Sequence, residues 1–302
     1  MKITEIISGK NPSLSFEVFP PKTSDKFESV LSCAKDIAKL NPSFMSVTYG
    51  AGGGTSLYTK NICKELNEQG VTSIAHLTCV SSTKEKIQNE LETLKENNIE
   101  NILALRGDLL EGASIENATY KHASELITEI KRAGDFCVGG ACYPEGHPES
   151  PNLTKDIDGL KYKVDAGCEF LTTQMFFDNN VLYNFLYRLL KAGIKVPVIA
   201  GIMPVTSATQ IKRICSISSS PLPQRFLRLI DRYGENPKAM MQAGIAYATE
   251  QIIDLYANGI NAVHVYSMNK VDVATQIKNN LSEIIKGWIT FFTEKSTLTI
   301  YF

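Results

Sequence analysis

The feature that most constrains this chain is an eightfold alternation of short apolar runs with longer amphipathic segments. Segments with helical periodicity, such as residues 24–40, 83–97 and 180–192, separate the runs. Strands that alternate with helices predict a parallel sheet, and runs that are apolar throughout predict burial on both faces. The runs, which we predict to be strands, span residues 14–20, 44–50, 73–79, 101–107, 137–144, 170–176, 196–204 and 262–268.

Eight such units in 302 residues favour a closed barrel, which typically needs about 250 residues. An open doubly wound sheet is the alternative, and it would place a Gly-x-Gly-x-x-Gly fingerprint after an early strand. The glycine cluster at residues 52–54 follows a strand, but its spacing does not fit that fingerprint. The sequence therefore predicts an α/β protein, a single (β/α)8 (TIM) barrel domain over residues 1–302.

Two segments exceed what a minimal barrel requires. Extra helical material at residues 221–233 precedes a long helix at 237–258 and hence the last strand. An aromatic and β-branched C-terminal tail occupies residues 287–302. We expect the tail to pack as a terminal strand or to form an oligomer contact, and the sequence does not distinguish the two.

Charge and composition exclude several classes of protein. The net charge is −1 with acids and bases interspersed, so the chain lacks the basic footprint of a nucleic-acid-binding surface. The first ten residues contain no apolar signal segment, and the longest apolar stretch, residues 196–205, is too short to span a bilayer. The seven cysteines have no paired spacing, and the four histidines form no metal-binding motif. We expect a cytosolic protein without disulfides, metal, nucleic-acid partner or membrane partner.

Chemically capable side chains collect where the predicted strands end, which is where barrel enzymes place their active sites. Glu17 is the most informative, because a carboxylate in an apolar strand must be hydrogen-bonded, paired or functional. Desolvation would raise its pKa toward that of a general acid, and pairing with an Arg or His of a neighbouring strand is the alternative. The other candidates are Thr48, Tyr49, His76, Arg106, Asp108, Tyr143, Glu145, His147, Gln174, Asp178, His264 and Tyr266.

Several of these residues could have a purely structural role instead of a functional one. Asp108 could cap a helix, and His76 and His264 could be hydrogen-bonded core histidines. His122 is predicted to lie in a helix at the surface. The glycines at 52–54 could expose backbone N–H groups to a phosphate.

Several linked motifs then resemble the methylenetetrahydrofolate reductases. They begin with Ser-Phe-Glu-Val-Phe-Pro-Pro-Lys around Glu17 and continue, in order, over residues 14–270. The further matching segments are residues 47–52, 76–79, 104–108, 143–149, 163–167, 173–178, 201–205 and 266–269.

The resemblance implies a catalytic barrel, without the regulatory domain of longer relatives, that binds FAD non-covalently. NADH or NADPH would reduce the flavin and depart, and 5,10-methylenetetrahydrofolate would then be reduced to 5-methyltetrahydrofolate in a ping-pong reaction. The product would feed methionine synthesis or one-carbon metabolism. No nicotinamide-reading motif is visible, so NADH, NADPH and a protein electron donor all stay open. A homo-oligomer and a redox partner subunit are both compatible with the sequence.

The resemblance also implies roles for individual residues. Glu17 would protonate the departing ring nitrogen of the folate, and Asp108 would stabilise the resulting cation. Gln174, Gln210 and Lys270 would contact the folate. The positions associated with FAD are Thr48, His76, Arg106, Gly107, Asp108, Ala123, Tyr143, His147, Asp156 and Lys163.

The chain departs from the family pattern at four positions. Ile214 replaces an aromatic residue that could stack on the folate, and Lys270 stands where arginine is common. Gly159 and Tyr162 replace polar or basic residues expected near the FAD. Two rival interpretations are a folate- or pterin-dependent barrel enzyme without flavin and a non-catalytic barrel subunit of a one-carbon complex.

Overall fold

Eight parallel strands close into a barrel in sequence order in a computed structural model that describes residues 1–9, 11–49, 56–109, 114–211, 214 and 222–286. Each strand pairs with the next, and β8 pairs with β1. The predicted (β/α)8 barrel is confirmed. The strands are β1 (Ser13–Val18), β2 (Met45–Val47), β3 (Ser73–Thr78), β4 (Asn101–Leu105), β5 (Cys137–Cys142), β6 (Phe170–Thr173), β7 (Val198–Ile202) and β8 (Ala262–Val265).

Helices surround this barrel. The segment between β7 and β8 contains both α8 and the long α9, which pack on each other, so the predicted extra helical material is present. The helices are α1 (Ile3–Ile7), α2 (Phe27–Ala38), α3 (Ser56–Glu68), α4 (Lys84–Glu96), α5 (Ala123–Ala133), α6 (Leu153–Asp165), α7 (Asn179–Lys191), α8 (Gln224–Tyr233), α9 (Pro237–Ala257) and α10 (Val271–Asn280).

The strands end earlier than the sequence predicts. The prediction for the first strand continues to residue 20, whereas β1 ends at Val18, and β6 ends at Thr173 rather than at residue 176. Many of the residues just beyond the strands, such as Phe19, Val80 and Phe176, are apolar or aromatic, so composition alone does not separate them from the strands. In the structure they leave the hydrogen-bonded ladder and form the loops at the carboxyl end of the barrel.

The short helix α1 was not predicted, and it covers the amino-terminal end of the barrel. Its buried Ile3 and Ile7 pack against the inward-facing residues Phe44, Phe170 and Ile199. The Asn101 side chain fixes this position, because its oxygen accepts a hydrogen bond from the Ile3 amide over 2.9 Å. The barrel is therefore closed by apolar packing at the end opposite the carboxyl-end loops.

Alternation along the strands separates the two layers of the core. In β1, Leu14, Phe16 and Val18 face the helices, whereas Ser15 and Glu17 point into the barrel. Successive side chains of a strand point to opposite faces, so one apolar strand can supply both layers. The upper part of the barrel interior is consequently polar, although the strands read as apolar.

Several predictions concern residues outside the described ranges, namely the glycines at 52–54, Cys215 and the tail 287–302. All six cysteines within the described part of the chain are free thiols, and five of them are buried. In the same ranges no group of three or more His, Cys, Asp or Glu side chains could hold a metal ion. None of the helices described is long and apolar enough to cross a membrane.

Candidate active site

A cavity of about 1320 Å³ opens at the carboxyl ends of the strands. It exceeds the roughly 300–1,000 Å³ of a usual small-molecule site. Every strand contributes to its wall at or just beyond its carboxyl end. The residues that do so are Glu17, Thr48, Thr78, Arg106, Tyr143, Gln174, Met203 and Tyr266.

Glu17 lies near the end of β1 with its side chain inside the barrel, 18% exposed. Burial raises the pKa of Glu17 to about 8. Its nearest polar neighbours are the Ser46 hydroxyl, 3.4 Å from Oε2, and His76 Nε2, 3.7 Å from the same oxygen. Burial lowers the pKa of His76 to about 3, so the ring is neutral and does not form an ion pair with Glu17. The carboxyl group is therefore protonated at neutral pH.

A chain of short polar contacts continues from Glu17 into the barrel. The Ser46 hydroxyl lies 2.8 Å from His264 Nε2, and the Ser15 hydroxyl lies 2.7 Å from Nδ1 of the same ring. Ser15 also donates to the backbone carbonyl of Val263 over 3.0 Å. The strand register produces this arrangement, because Glu17 pairs with Ser46 and Ser15 pairs with His264. His264 is fully buried, and burial lowers its pKa to about 3, with a further contribution from His76.

The opposite wall of the cavity carries cations. Lys163 on α6 is partly buried, and its ammonium donates to the carbonyl of Ala141 over 2.7 Å. Burial lowers the pKa of Lys163 and raises that of Asp156, which lies two helical turns earlier. The rings of Tyr143 and His147 meet edge to face with centroids 4.6 Å apart. These groups could contact an anion and a ribose side by side.

Arg106 extends from the end of β4 and forms a two-point ion pair with Glu149 in the β5–α6 loop. Its Nη2 donates to Glu149 Oε1 over 2.8 Å, and Nη1 donates to Oε2. This hydrogen bond raises the pKa of Arg106 and lowers that of Glu149. The backbone amide of Glu149 donates to His147 Nδ1 over 3.1 Å, which ties the loop to the cavity wall.

Gly107 allows the backbone to turn between Arg106 and Asp108. Its φ is +84°, and an added Cβ would fall 2.9 Å from Thr78 Cβ. A side chain there would meet both backbone strain and a steric clash. The turn brings Asp108, which is exposed, to the cavity wall.

The structure brings most of the predicted site residues to this one cavity. Gln174 is fixed there, because its side-chain oxygen accepts a hydrogen bond from the Met175 amide over 2.9 Å. His122 also lines it, but it precedes α5 as its N-cap, so its predicted position within a helix is wrong. The predicted residues in the cavity wall are Glu17, Thr48, Tyr49, His76, Arg106, Gly107, Asp108, Ala123, Tyr143, His147, Asp156, Lys163, Gln174, His264 and Tyr266, whereas Glu145 and Asp178 do not line it.

Two predicted folate contacts, Gln210 and Lys270, do not belong to the set that lines the cavity. Both bind Thr206: the Gln210 oxygen accepts from its amide over 3.0 Å, and the Lys270 ammonium contacts its hydroxyl at 2.5 Å. Gln210 also contacts the sulfur of Met203, which does line the cavity. Ile214 is buried in the apolar cluster that includes Met203.

Sequence reasoning missed the roles of Ser15, Ser46 and Glu149. The signal for the serines was their strand register relative to Glu17 and His264, which appears only when neighbouring strands are aligned. Glu149 closes the Pro-Glu-Gly-His-Pro-Glu motif, but no sequence spacing links it to Arg106.

Comparison with known proteins decides the family. A model of the family described as methylenetetrahydrofolate reductase matches residues 2–282. The chain belongs to the methylenetetrahydrofolate reductase family. It is accordingly an oxidoreductase, and the resemblance read from the sequence motifs is confirmed.

Bacterial and plant reductases are similar to this chain. The 5,10-methylenetetrahydrofolate reductase of Pectobacterium carotovorum is 33% identical over 271 residues, covering 89% of this chain and 90% of the relative. That of Escherichia coli is 33% identical over 270 residues, with the same coverage. Methylenetetrahydrofolate reductase (NADH) 1 of Arabidopsis thaliana is 32% identical over 305 residues, covering 96% of this chain and 51% of the relative.

Solved structures share the barrel of the reductase family. A protein from Clostridium thermocellum that binds two copies of 5-methyl-5,6,7,8-tetrahydrofolic acid has a TM-score of 0.67 at 15% identity, covering 94% of this chain and all of that one. An oxaloacetate acetylhydrolase has a TM-score of 0.53 at 10% identity, covering 99% and 88%. At these identities the likeness shows the fold alone.

Proposed function

We propose that this chain reduces 5,10-methylenetetrahydrofolate to 5-methyltetrahydrofolate with non-covalently bound FAD, by a ping-pong reaction with NADH or NADPH. Family membership supports the reduction of methylenetetrahydrofolate itself, and the name of the Arabidopsis thaliana relative, methylenetetrahydrofolate reductase (NADH) 1, supports NADH as donor. The observation that carries the proposal is Glu17, a carboxylic acid held protonated at neutral pH in a cavity of about 1320 Å³. The product would enter methionine synthesis or one-carbon metabolism.

The chemistry of the cavity wall fits FAD. Lys163 and Arg106 offer cationic donors suited to a diphosphate, and Asp156 offers an acceptor for a ribose hydroxyl. Gly107 keeps the backbone free of a side chain where the wall turns, so a flat ring can approach it. Bound at these residues, FAD would supply the hydride transfer between the nicotinamide and the one-carbon unit. We assign Thr48, His76, Ala123, Tyr143 and His147 to the same binding surface.

Glu17 is the residue we assign to acid catalysis. The five-membered ring of the folate must open before its one-carbon unit accepts hydride, and opening requires a proton on the departing nitrogen. A carboxyl group with a pKa of about 8 holds that proton at neutral pH and releases it readily to an amine. Asp108, exposed at the cavity wall, is the residue we assign to stabilising the cation that follows. Gln174 would hydrogen-bond the pterin, and Gln210 and Lys270 would act near the outer part of the folate.

The first test concerns the cofactor. Lys163→Met should raise the Kd for FAD on the order of tenfold to a hundredfold, because one charged partner of the diphosphate is lost. Lys161→Met is the matched control, since Lys161 lies on the same helix and is exposed. Flavin fluorescence quenching measures both affinities. Equal affinities in the two variants would contradict the role assigned to Lys163. A wild-type protein that binds no FAD would remove the flavin from the proposal and favour a flavin-independent folate or pterin enzyme.

The second test concerns the acid. Glu17→Gln keeps the size of the side chain but holds no transferable proton, so flavin reduction by NADH should proceed at the wild-type rate while folate reduction falls by about 100-fold or more. Anaerobic stopped-flow measurement of each half-reaction separates the two steps. Parallel reduction by NADH, NADPH and reduced ferredoxin identifies the donor. Normal folate reduction by the variant contradicts the assignment, and absence of any reduction in the wild type would favour a non-catalytic subunit.

A further inference from the structure

The polar chain below Glu17 has a direction, because one of its ends can only accept a hydrogen bond. The carbonyl oxygen of Val263 accepts from the Ser15 hydroxyl over 3.0 Å. A serine hydroxyl has a single hydrogen. Once that hydrogen is donated to Val263, Ser15 faces His264 Nδ1 with a lone pair over 2.7 Å. The neutral ring must then carry its proton on Nδ1.

The same count applies on the far side of the ring. With the proton on Nδ1, Nε2 of His264 is an acceptor, and the Ser46 hydroxyl is the donor at 2.8 Å. The distance from Ser46 to Glu17 Oε2 is 3.4 Å, which is long for a hydroxyl hydrogen bond. The one hydrogen of Ser46 therefore belongs to His264. Ser46 consequently presents a lone pair to Glu17.

We propose that His264 is a positioning residue that favours the protonated form of Glu17. Ser15 holds His264 as the Nδ1–H tautomer, and Nε2 of this tautomer accepts the single hydroxyl hydrogen of Ser46. Ser46 then has no hydrogen left to stabilise an ionised Glu17. A lone pair that faces a carboxylate repels its negative charge, whereas a neutral carboxylic acid has no such charge to be repelled. Ionised Glu17 would favour the other tautomer, in which Ser15 turns away from Val263. The chain also ends at a backbone carbonyl, so it delivers no proton from below, and Glu17 exchanges its proton with the cavity.

The other groups that face this chain do not compete for these roles. His76 Nε2 lies 3.7 Å from Glu17 Oε2, beyond hydrogen-bonding distance, and its ring is neutral. The Tyr266 hydroxyl donates to the carbonyl of Thr173 over 2.5 Å. Phe44 stacks on the His264 ring with centroids 5.6 Å apart and excludes water from that face.

The tautomer can be measured directly. The chain has four histidines, so nitrogen-15 chemical shifts of histidine-labelled full-length protein at pH 7 are resolvable, and His264→Asn identifies the signals that disappear. We expect His264 to be neutral with the proton on Nδ1. A proton on Nε2, or a doubly protonated ring, overturns the proposal.

Ser15→Ala tests the consequence for Glu17. Without Ser15, the ring is free to move its proton to Nε2 and to release the Ser46 hydrogen to the carboxylate. The ionisation constant of Glu17 should then rise about tenfold, a change of one pH unit. Ser13→Ala is the control, because Ser13 lies on the same strand and its buried hydroxyl has no hydrogen-bond partner.

Infrared titration of the carboxyl stretch, with Glu17→Gln as the reference spectrum, measures this constant. Identical titrations of Ser15→Ala and Ser13→Ala overturn the proposal. The inference rests on the proposed function only for its catalytic meaning. Both measurements are made without substrate turnover, so failure of the reductase assignment and failure of this proposal give different results.

Discussion

Glu17 on β1 and Lys163 on α6 are partly buried titratable residues that line the same cavity. Burial moves the pKa of each toward its neutral form, upward for the carboxyl and downward for the ammonium. They differ in their partners. Lys163 donates to the carbonyl of Ala141 at 2.7 Å, whereas the polar contacts of Glu17 with Ser46 and His76 are long, at 3.4 Å and 3.7 Å. This difference agrees with the proposed roles, in which Lys163 binds the cofactor and Glu17 gives up a proton.

The raised pKa of Glu17 has a consequence for stability. The folded chain keeps this proton up to about pH 8, whereas an unfolded glutamate loses it near pH 4.5. The associated stabilisation is complete below the unfolded value and is lost as the pH rises through the folded value. We expect Glu17→Gln to become more stable than the wild type by on the order of a few kcal/mol between about pH 5 and about pH 9. Urea unfolding at both pH values measures the difference, and a difference independent of pH would contradict the burial of this charge.

The roles of some site residues can be predicted from the sequence, and the roles of others cannot. Glu17 is conspicuous because it is a charge within an apolar strand. Ser15 and Ser46 are not, because a small hydroxyl residue is common in strands and gains its role only from the side chain opposite. Glu149 is equally hidden, since its partner Arg106 lies 43 positions away.

At the scale of elements, the turns after the strands hold the site, and these are the places where the predicted strand ends are wrong. Hydrophobicity does not report where a ladder stops, because the next residues are buried by loop packing rather than by pairing. Helix α1 was not predicted, because its sequence is too short to show a pattern. Five residues are too few for a helical period to emerge, and the helix owes its place to packing of Ile3 and Ile7 against the barrel interior.

The turn after β4 supplies a prediction at this scale. Gly107→Ala should lower FAD affinity by about tenfold or more, because the new Cβ meets Thr78 and displaces Arg106 and Asp108. Gly193→Ala is the matched control, because Gly193 has a similar φ of +76° but open space around its Cα. Flavin titration of both variants compares the clash with the backbone strain alone. Equal losses of affinity would mean that the turn after β4 does not shape the binding wall.

At the scale of the whole molecule, the architecture follows from a pattern repeated eight times, so errors at individual strand ends do not change it. The same repetition places the carboxyl ends of all strands at one rim. Polar residues distant in sequence could therefore be assigned to one site without contact information. The exact set of residues that line the cavity could not be predicted, because it depends on loop packing. Gln210 and Lys270, for example, were predicted to contact the folate but do not line the cavity.

Because α1 closes one end of the barrel, ligands can enter and leave the cavity only at the other end. With Ile3 and Ile7 packed into the amino-terminal end, the nicotinamide and the folate of the proposed reaction would share the rim as both entrance and exit. Excess NADH should then inhibit the reaction by occupying the site that the folate needs. At low folate, a rising NADH concentration should first increase and then decrease the initial rate. Added folate should restore the initial rate. Steady-state rates over a grid of both concentrations would reveal this, whereas rates that saturate without decline would point to separate routes. Departure of one ligand, and not only hydride transfer, would thereby become a determinant of turnover.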